Sequence, residues 1–160
     1  MQQADVNWRV AEAEKAEEPE LEKVEEVSEV ELVPYIEGHA QLILNERRIL
    51  DFDLAPIYGV STSALNRAYK RNIDMFEDDW VIQLDGDLWQ SLCQSGITLD
   101  ERQRFRTETP LVYSAEGANS VAFQLTQSPI ARKRAKTIIK VFSDLERMAH
   151  GDFVFDIQGM

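Results

Sequence analysis

The sequence has little of what covalent and metal chemistry require. Cys93 is its only cysteine, so no disulfide can form within the chain. Its two histidines, His39 and His150, lie far apart with no cysteine beside them, which is not the ligand spacing of a zinc site. We therefore expect no metal and no other cofactor.

The sequence also lacks a secretory signal and any apolar run long enough to cross a bilayer. We expect a cytoplasmic protein without a membrane partner. Carboxylate pairs do occur at Asp78–Asp79 and Asp85–Asp87, but no histidine, lysine or glycine-rich loop accompanies them to organise a reaction. Capping or structural roles are expected for them, and we do not expect an enzyme.

Basic residues are scarce, since 17 lysines and arginines stand against 29 acidic residues and the formal net charge is -12. Such a charge is unfavourable for a protein that binds phosphates. Residues 1–33 contain eleven acids and three bases, so this segment alone contributes -8. Because glutamates dominate it, we expect residues 1–33 to be a disordered acidic tail and residues 34–160 to form one folded domain.

Residue periodicity in the second segment predicts an α+β fold, with short β-hairpins and a long C-terminal helix. A hairpin is expected over residues 39–50, a strand over 79–84 and a helix over 87–94. Ser114 is expected to cap a helix over 115–126, and Ser128 with Pro129 to open the long helix, which ends at Gly151. The basic residues in the first half of that helix could meet phosphates, but a solvated face is the more common explanation and is expected for them: Arg132, Lys133, Arg134, Lys136 and Lys140.

Residues 51–72 predict a helix-turn-helix. Asp53 is expected to cap the first helix, which places Pro56 in the opening turn, where its missing N–H has no cost. Gly59 permits the positive φ of a sharp turn, and Ser61 or Thr62 is expected to cap the second helix. The apolar residues at helical spacing are expected to form the shared core: Leu54, Ala55, Tyr58, Val60, Leu65 and Ala68.

The second helix of this motif has a polar and basic outer face, and residues 61–72 include no acid. Asparagine, arginine and lysine are the side chains that pair with adenine, guanine and phosphate in a major groove. The alternative is an ordinary helical hairpin with a solvated basic face. The candidate DNA-binding residues are Thr62, Ser63, Asn66, Arg67, Lys70 and Arg71.

A second basic stretch occurs where Arg102, Arg104 and Arg106 alternate with other residues. In a strand, this spacing would place all three guanidinium groups on one face, as in a basic wing that binds DNA. A charged loop whose arginines face water explains the pattern equally well.

The string DLAPIYGVSTSALNRAYKRNIDMFEDDWVIQL resembles the signature of the phage ORF-six-N domain family, a relative of KilA-N and Bro-N domains. The upstream ILNERRIL and the downstream LVYSAEGANSVAFQL resemble its strand pair and a later segment, so the resemblance covers residues 36–143. It departs from the family at residues 113–117. The resemblance implies a DNA-binding domain of phage or prophage genes, with the presumed recognition helix carrying Leu65, Asn66, Lys70, Arg71 and Asn72.

Together these patterns predict a sequence-selective transcription regulator of phage or prophage type that binds double-stranded DNA in a bacterial host cell. Helix-turn-helix proteins usually bind DNA as dimers, so a homodimer is expected, with the long helix as the candidate interface. The alternative is a protein-interaction factor, of antirepressor or DNA-mimic type, whose acidic tail binds a basic host or phage protein. Apolar residues recur at every third position from Leu21 to Val30, as in a helix that folds on a partner.

Overall fold

Six helices and a four-stranded antiparallel sheet make up the described part of the chain, which is residues 24–95 and 108–150 of a computed structural model. The predicted α+β class is confirmed. The strands are β1 (Gln41–Ile43), β2 (Glu46–Leu50), β3 (Val81–Gln83) and β4 (Leu111–Tyr113). The helices are α1 (Leu32–His39), α2 (Asp51–Tyr58), α3 (Thr62–Arg71), α4 (Gly86–Gln94), α5 (Ala115–Gln124) and α6 (Ala131–Ala149), and a 3₁₀ turn, Ile73–Met75, follows α3.

The predicted hairpin forms between β1 and β2. Its turn consists of Leu44 and Asn45, which have φ angles of 55° and 65°. Positive φ at both central positions is typical of a type I′ turn, whose twist suits two antiparallel strands. The hairpin is shorter than predicted, because His39 is the last residue of α1.

The sheet has the strand order β1-β2-β4-β3, and helices cover both of its faces. Successive side chains of a strand point to opposite faces. On β4, Val112 packs with Leu50 and with Trp89 of α4, whereas Leu111 and Tyr113 belong to the larger core beneath the other helices. The helix pair α2 and α3 therefore lies on the opposite face from α4.

The helix α5 begins where Ser114 caps it, as predicted. The Ser114 hydroxyl accepts a hydrogen bond from the Gly117 N–H at 3.1 Å and donates one to the Trp80 carbonyl at 3.1 Å. Gly117 lies so close to the Trp80 carbonyl that a Cβ at this position would be only 2.2 Å from its oxygen. The first turn of α5 is thus packed directly on the backbone that leads into β3.

The helix α6 begins two residues later than Ser128 and Pro129 predict, and no side chain caps it. The Ser128 hydroxyl instead donates to the Tyr58 carbonyl at 2.6 Å, at the end of α2. The expectation that Arg134 lies on a solvated face is wrong, since only 2% of it is exposed. The carbonyls at the end of α2 need donors, and Ser128 and Arg134 supply them.

Residues 24–31, here called the N-terminal segment, lie against the folded domain. The Val27 N–H donates to the Pro56 carbonyl at 3.0 Å. Arg134 donates to the Val27 carbonyl at 2.6 Å and to the Ile57 carbonyl at 3.0 Å, and it forms an ion pair with Glu29. Contacts with the domain therefore begin before the boundary expected at residues 33 and 34. The remainder of the predicted tail, residues 1–23, lies outside the described residues.

The first helix of the pair, α2, does not begin at Asp53 as predicted. It begins at Asp51, directly after β2, and has no side-chain cap. Pro56 consequently lies beyond the opening turn, where its ring removes one helical hydrogen bond. The lost hydrogen bond lies near the end of a short helix, because α2 ends at Tyr58, two residues after Pro56, and Gly59 is its C-cap.

The Asp53 carboxyl is largely buried between α1 and α2. Its pKa is raised to about 7, mainly by burial. His39, whose Nε2 lies 4.0 Å away, lowers the pKa, and the neighbouring Asp51 raises it by a smaller amount. Such a shift means that the folded protein binds a proton at Asp53 more readily than the unfolded chain does. The contribution of the protonated Asp53 to the free energy of unfolding is therefore complete below pH 4, the approximate pKa of Asp53 in the unfolded chain. It is lost as the pH rises to about 7, the pKa of Asp53 in the folded protein.

We expect Asp53→Asn to remove this pH dependence. Relative to the variant, the wild type should lose on the order of 2 kcal/mol of unfolding free energy between about pH 4 and pH 7. Urea unfolding followed by circular dichroism at several pH values measures the difference. Asp87→Asn, at an exposed position in the first turn of α4, is the matched control and should follow the wild type. Parallel pH curves for wild type and Asp53→Asn would contradict the assignment.

Candidate nucleic-acid interface

The turn between α2 and α3 has the geometry that the sequence predicts. Gly59 has a φ of 66°, in the left-handed region that glycine adopts without strain. Ser61 then caps α3, its hydroxyl accepting a hydrogen bond from the Ala64 N–H at 3.1 Å. Leu65 is the buried residue of α3, and Ala68 packs beside it. The opposite side of α3 remains at the surface.

That exposed side of α3 forms one wall of an open groove of about 440 Å³, here called the α3 groove. All six residues predicted on this helix line it together: Thr62, Ser63, Asn66, Arg67, Lys70 and Arg71. Glu108 completes the lining. The predicted residues Arg102, Arg104 and Arg106 lie outside the described residues, although Glu108 is the first described residue that follows them.

The α3 groove carries more positive than negative charge. Arg67, Lys70 and Arg71 are exposed, and none of the three forms an ion pair with another described residue. Glu108 is the acidic residue in the lining. In a chain whose net charge is -12, this local excess of cations favours an anionic ligand.

Asn66 differs from the other residues of the set, because its amide is already hydrogen-bonded. Its Nδ2 donates to Asp51 Oδ2 at 2.8 Å, and its Oδ1 accepts from the Tyr113 hydroxyl at 3.0 Å. Burial, together with the nearby Asp51, raises the pKa of Tyr113, so its hydroxyl keeps the proton that it donates. The structure thus gives Asn66 a role in attaching α3 to the sheet, where a free base-reading amide was expected.

Asp51 is the centre of this network and was not among the predicted site residues. Besides Asn66, its carboxylate accepts from the Phe52 N–H at 2.7 Å and from the Leu111 N–H at 3.1 Å. Asp51 is fully buried and connects α2, α3 and β4. One feature of the sequence could have indicated this role. Asp51 directly follows the apolar residues Ile49 and Leu50, and a carboxylate buried beside them would need hydrogen-bond partners because an unpaired buried charge is costly.

Few other groups that could bind a metal or take part in a reaction occur in the described ranges 24–95 and 108–150. No cluster of three or more metal-ligating side chains occurs there. Asp85 caps α4, its carboxylate accepting from the Leu88 N–H at 2.8 Å, which is the structural role expected of that carboxylate pair. Cys93 is a half-buried free thiol beside α4's contact with the sheet.

Among the helices of these same ranges, none has the length and apolar character needed to span a membrane.

Fold and site together define a class: a small α+β domain whose antiparallel sheet carries a short helix pair with a basic outer face. The KilA-N and Bro-N domains of phages are of this type. The chain belongs to the ORF6N domain family, a non-catalytic family whose model matches residues 40–123. The match confirms the resemblance over a shorter range than 36–143. No curated protein and no solved structure matches the chain.

Proposed function

We propose that α3 enters the major groove of double-stranded DNA and that the chain is a sequence-selective transcription regulator of phage or prophage type. The observation that carries the proposal is the α3 groove, in which three cations without ionic partners among the described residues lie on one exposed helix face. An α-helix with its side chains is about 10–12 Å in diameter and fits the major groove, which is about 12 Å wide. The family supports a phage setting. We further propose that the role is non-enzymatic and that the protein acts in the cytoplasm of a bacterial host.

Within this helix we assign different roles to the residues of the groove. Arg67 lies near the middle of α3 and is the residue to read a guanine edge, whereas Lys70 and Arg71, in the last turn, are placed to contact phosphates. Thr62 and Ser63, in the first turn, are proposed to contact either the bases or the sugar-phosphate backbone of the DNA. Asn66 holds the helix in position through Asp51 and Tyr113 instead of reading bases.

Two further parts of the proposal concern the surroundings of α3. The basic stretch Arg102, Arg104 and Arg106 is proposed as an additional DNA contact, supported by the position of Glu108 in the α3 groove. The homodimer remains a prediction. If two copies bind together, each contributes one basic helix to a site with two half-sites.

A duplex selected from a random library by the purified protein tests the proposal by fluorescence anisotropy over a range of salt concentrations. Arg67→Gln should reduce the preference for the selected duplex over random DNA about tenfold or more, because a paired guanine contact is lost. Lys70→Gln should weaken binding to both duplexes alike and should reduce the slope of log Kd against log salt by about 0.9.

Lys140→Gln is the matched control for these variants. Lys140 lies on α6, and its charge is already balanced by Asp144, whose carboxylate is 3.3 Å away. The control should bind like the wild type. Equal losses in all three variants, or no binding of any duplex at low salt, would contradict the proposal.

The second candidate function is binding of a basic protein through the acidic N-terminus. It is supported by the N-terminal segment, which keeps Glu25, Glu26 and Glu31 exposed on the surface. A chain that binds no duplex but binds a basic host or phage protein, and loses that protein when residues 1–23 are removed, would favour this alternative.

A further inference from the structure

An apolar surface on the exposed side of α5 lies apart from the α3 groove. It is here called the α5 face, and it surrounds a hollow of about 680 Å³ whose lining includes Met75, Trp80, Phe123 and Ile139. Three of these side chains are well exposed for large apolar residues: Met75 by 64%, Phe123 by 50% and Ile139 by 42%. A contiguous apolar surface of this kind usually marks a binding site.

The helix α5 runs through the middle of this face and separates its two flanks. Gly117 packs on the carbonyl of Trp80, whereas Ala115 lines a second hollow together with Ile139 of α6. Positions 115 and 117 are about 200° apart around a helix, so they lie on opposite sides of α5. One flank is therefore formed by α6, and the other by the chain around Met75 and Trp80.

The two flanks carry charges of opposite sign. On the α6 flank, the Arg132 guanidinium lies 4.9 Å from the centre of the Phe123 ring, and the exposed Lys136 is on the same side of α6, one turn before Ile139. On the other flank, the exposed Glu77 and Asp78 lie in the chain between Met75 and Trp80. None of these four charged side chains forms an ion pair with another described residue.

A surface with one positive and one negative flank is complementary to itself. When two copies face each other about a two-fold axis that runs along α5, the positive flank of each copy meets the negative flank of the other. A two-fold axis across α5 would instead place like charges opposite each other. An apolar centre within a charged rim is the usual anatomy of a protein interface, and two-fold dimers are the commonest oligomers.

We infer that a second copy of this chain binds the α5 face, with the two α5 helices parallel and the two Phe123 rings at the centre of the contact. The inference makes the predicted homodimer specific, and no residue of the α5 face lines the α3 groove. The turn Ile73–Met75 directly follows α3, so burial of Met75 in the dimer also fixes the two α3 helices relative to each other. This last consequence rests on the proposed function.

Sedimentation equilibrium of the full chain without DNA, at about 0.15 M salt, tests the contact. The wild type should be a dimer, and Phe123→Asp should raise the dimer Kd about tenfold or more, because it places a charge at the apolar centre. Val33→Asp is the matched control, since Val33 is 43% exposed in the first turn of α1, away from the α5 face. It should dimerise like the wild type, and circular dichroism verifies that both variants are folded.

Charge reversal tests the two-fold arrangement. An acidic variant, Arg132→Glu with Lys136→Glu, has two negative flanks, and a basic variant, Glu77→Lys with Asp78→Lys, has two positive flanks. Each variant alone should dimerise about tenfold or more weakly than the wild type, because like charges meet at both rims. An equal mixture should form a heterodimer close to wild-type affinity, since every flank then meets one of opposite sign.

A second acidic variant, Lys133→Glu with Lys140→Glu, is the matched control for the mixture. It changes the net charge by the same amount, but both positions are about 100° or more around α6 from Ile139. Mixed with the basic variant, it should give no gain in affinity. The inference would be overturned by a wild type that is monomeric at millimolar concentration, by an unchanged Kd for Phe123→Asp, or by a mixture that associates no better than its components. A monomeric wild type that binds DNA would overturn the inference and leave the proposed function standing.

Discussion

Asp51→Ala is expected to lower the free energy of unfolding by about 3 kcal/mol. The Asp51 carboxylate accepts hydrogen bonds from the N–H groups of Phe52 and Leu111 and from the Asn66 amide. Alanine would leave these donors without an acceptor in the interior, and each unpaired group carries a desolvation penalty. Urea unfolding followed by circular dichroism measures the change as a lower midpoint at an unchanged slope.

Two matched variants separate the contributions within this network. Tyr113→Phe removes only the hydroxyl that donates to Asn66 and should cost about 1 kcal/mol. Asp74→Ala removes a carboxylate at an exposed position after α3 and should change nothing. An unfolding midpoint for Asp51→Ala equal to that of the wild type would show that the network does not hold α3 on the sheet.

Gly117→Ala is expected to destabilise the protein by about 3 kcal/mol or more. The added methyl group would lie 2.2 Å from the Trp80 carbonyl oxygen and 3.1 Å from Val81 Cγ2. Because the two nearest atoms belong to the backbone of Trp80, which leads directly into β3, α5 must move away from β3 to relieve the overlap. Thermal unfolding should show a large fall in Tm.

Gly38→Ala is the matched control for this substitution. Gly38 is also a helical glycine, in α1, but nothing lies within 4 Å of the position where its Cβ would be. Alanine there should raise the stability by about 0.5 kcal/mol, because it improves helix propensity. If both glycine variants unfold at the same temperature, the close approach of α5 to β3 is not a determinant of stability.

Features with local causes could be predicted from the sequence. The turn at Gly59, the cap at Ser114 and the amphipathic pattern of α3 each depend on residues within one or two helical turns. The hairpin was predicted for the same reason, since a turn residue lies between two apolar runs. Local signals of this type therefore located the helix pair and the six residues of α3 that line the groove.

Features that depend on distant residues could not be predicted in the same way. Asn66 has the helical spacing of a surface residue, but its partner Tyr113 is 47 residues away in the chain. Arg134 lies in a run of basic residues that reads as a solvated face, and its partner Val27 is 107 residues away. Only the tertiary structure brings such groups together. Periodicity placed Asn66 on the side of α3 that lines the groove but could not show its hydrogen bonds, and it assigned Arg134 to the wrong surroundings.

The position of Arg134 also shows that the segment matched by the family model is smaller than the folding unit. The family match ends at Phe123, before α6 begins. A fragment cut at the matched boundaries would lack Arg134, and with it the donor to the carbonyl of Ile57 at the end of α2. It would also expose Ala118 and Val121, which are fully buried in the intact chain. In physical terms, the segment that the family model matches is thus not a complete folding unit in this chain, because its interior depends on the flanking residues.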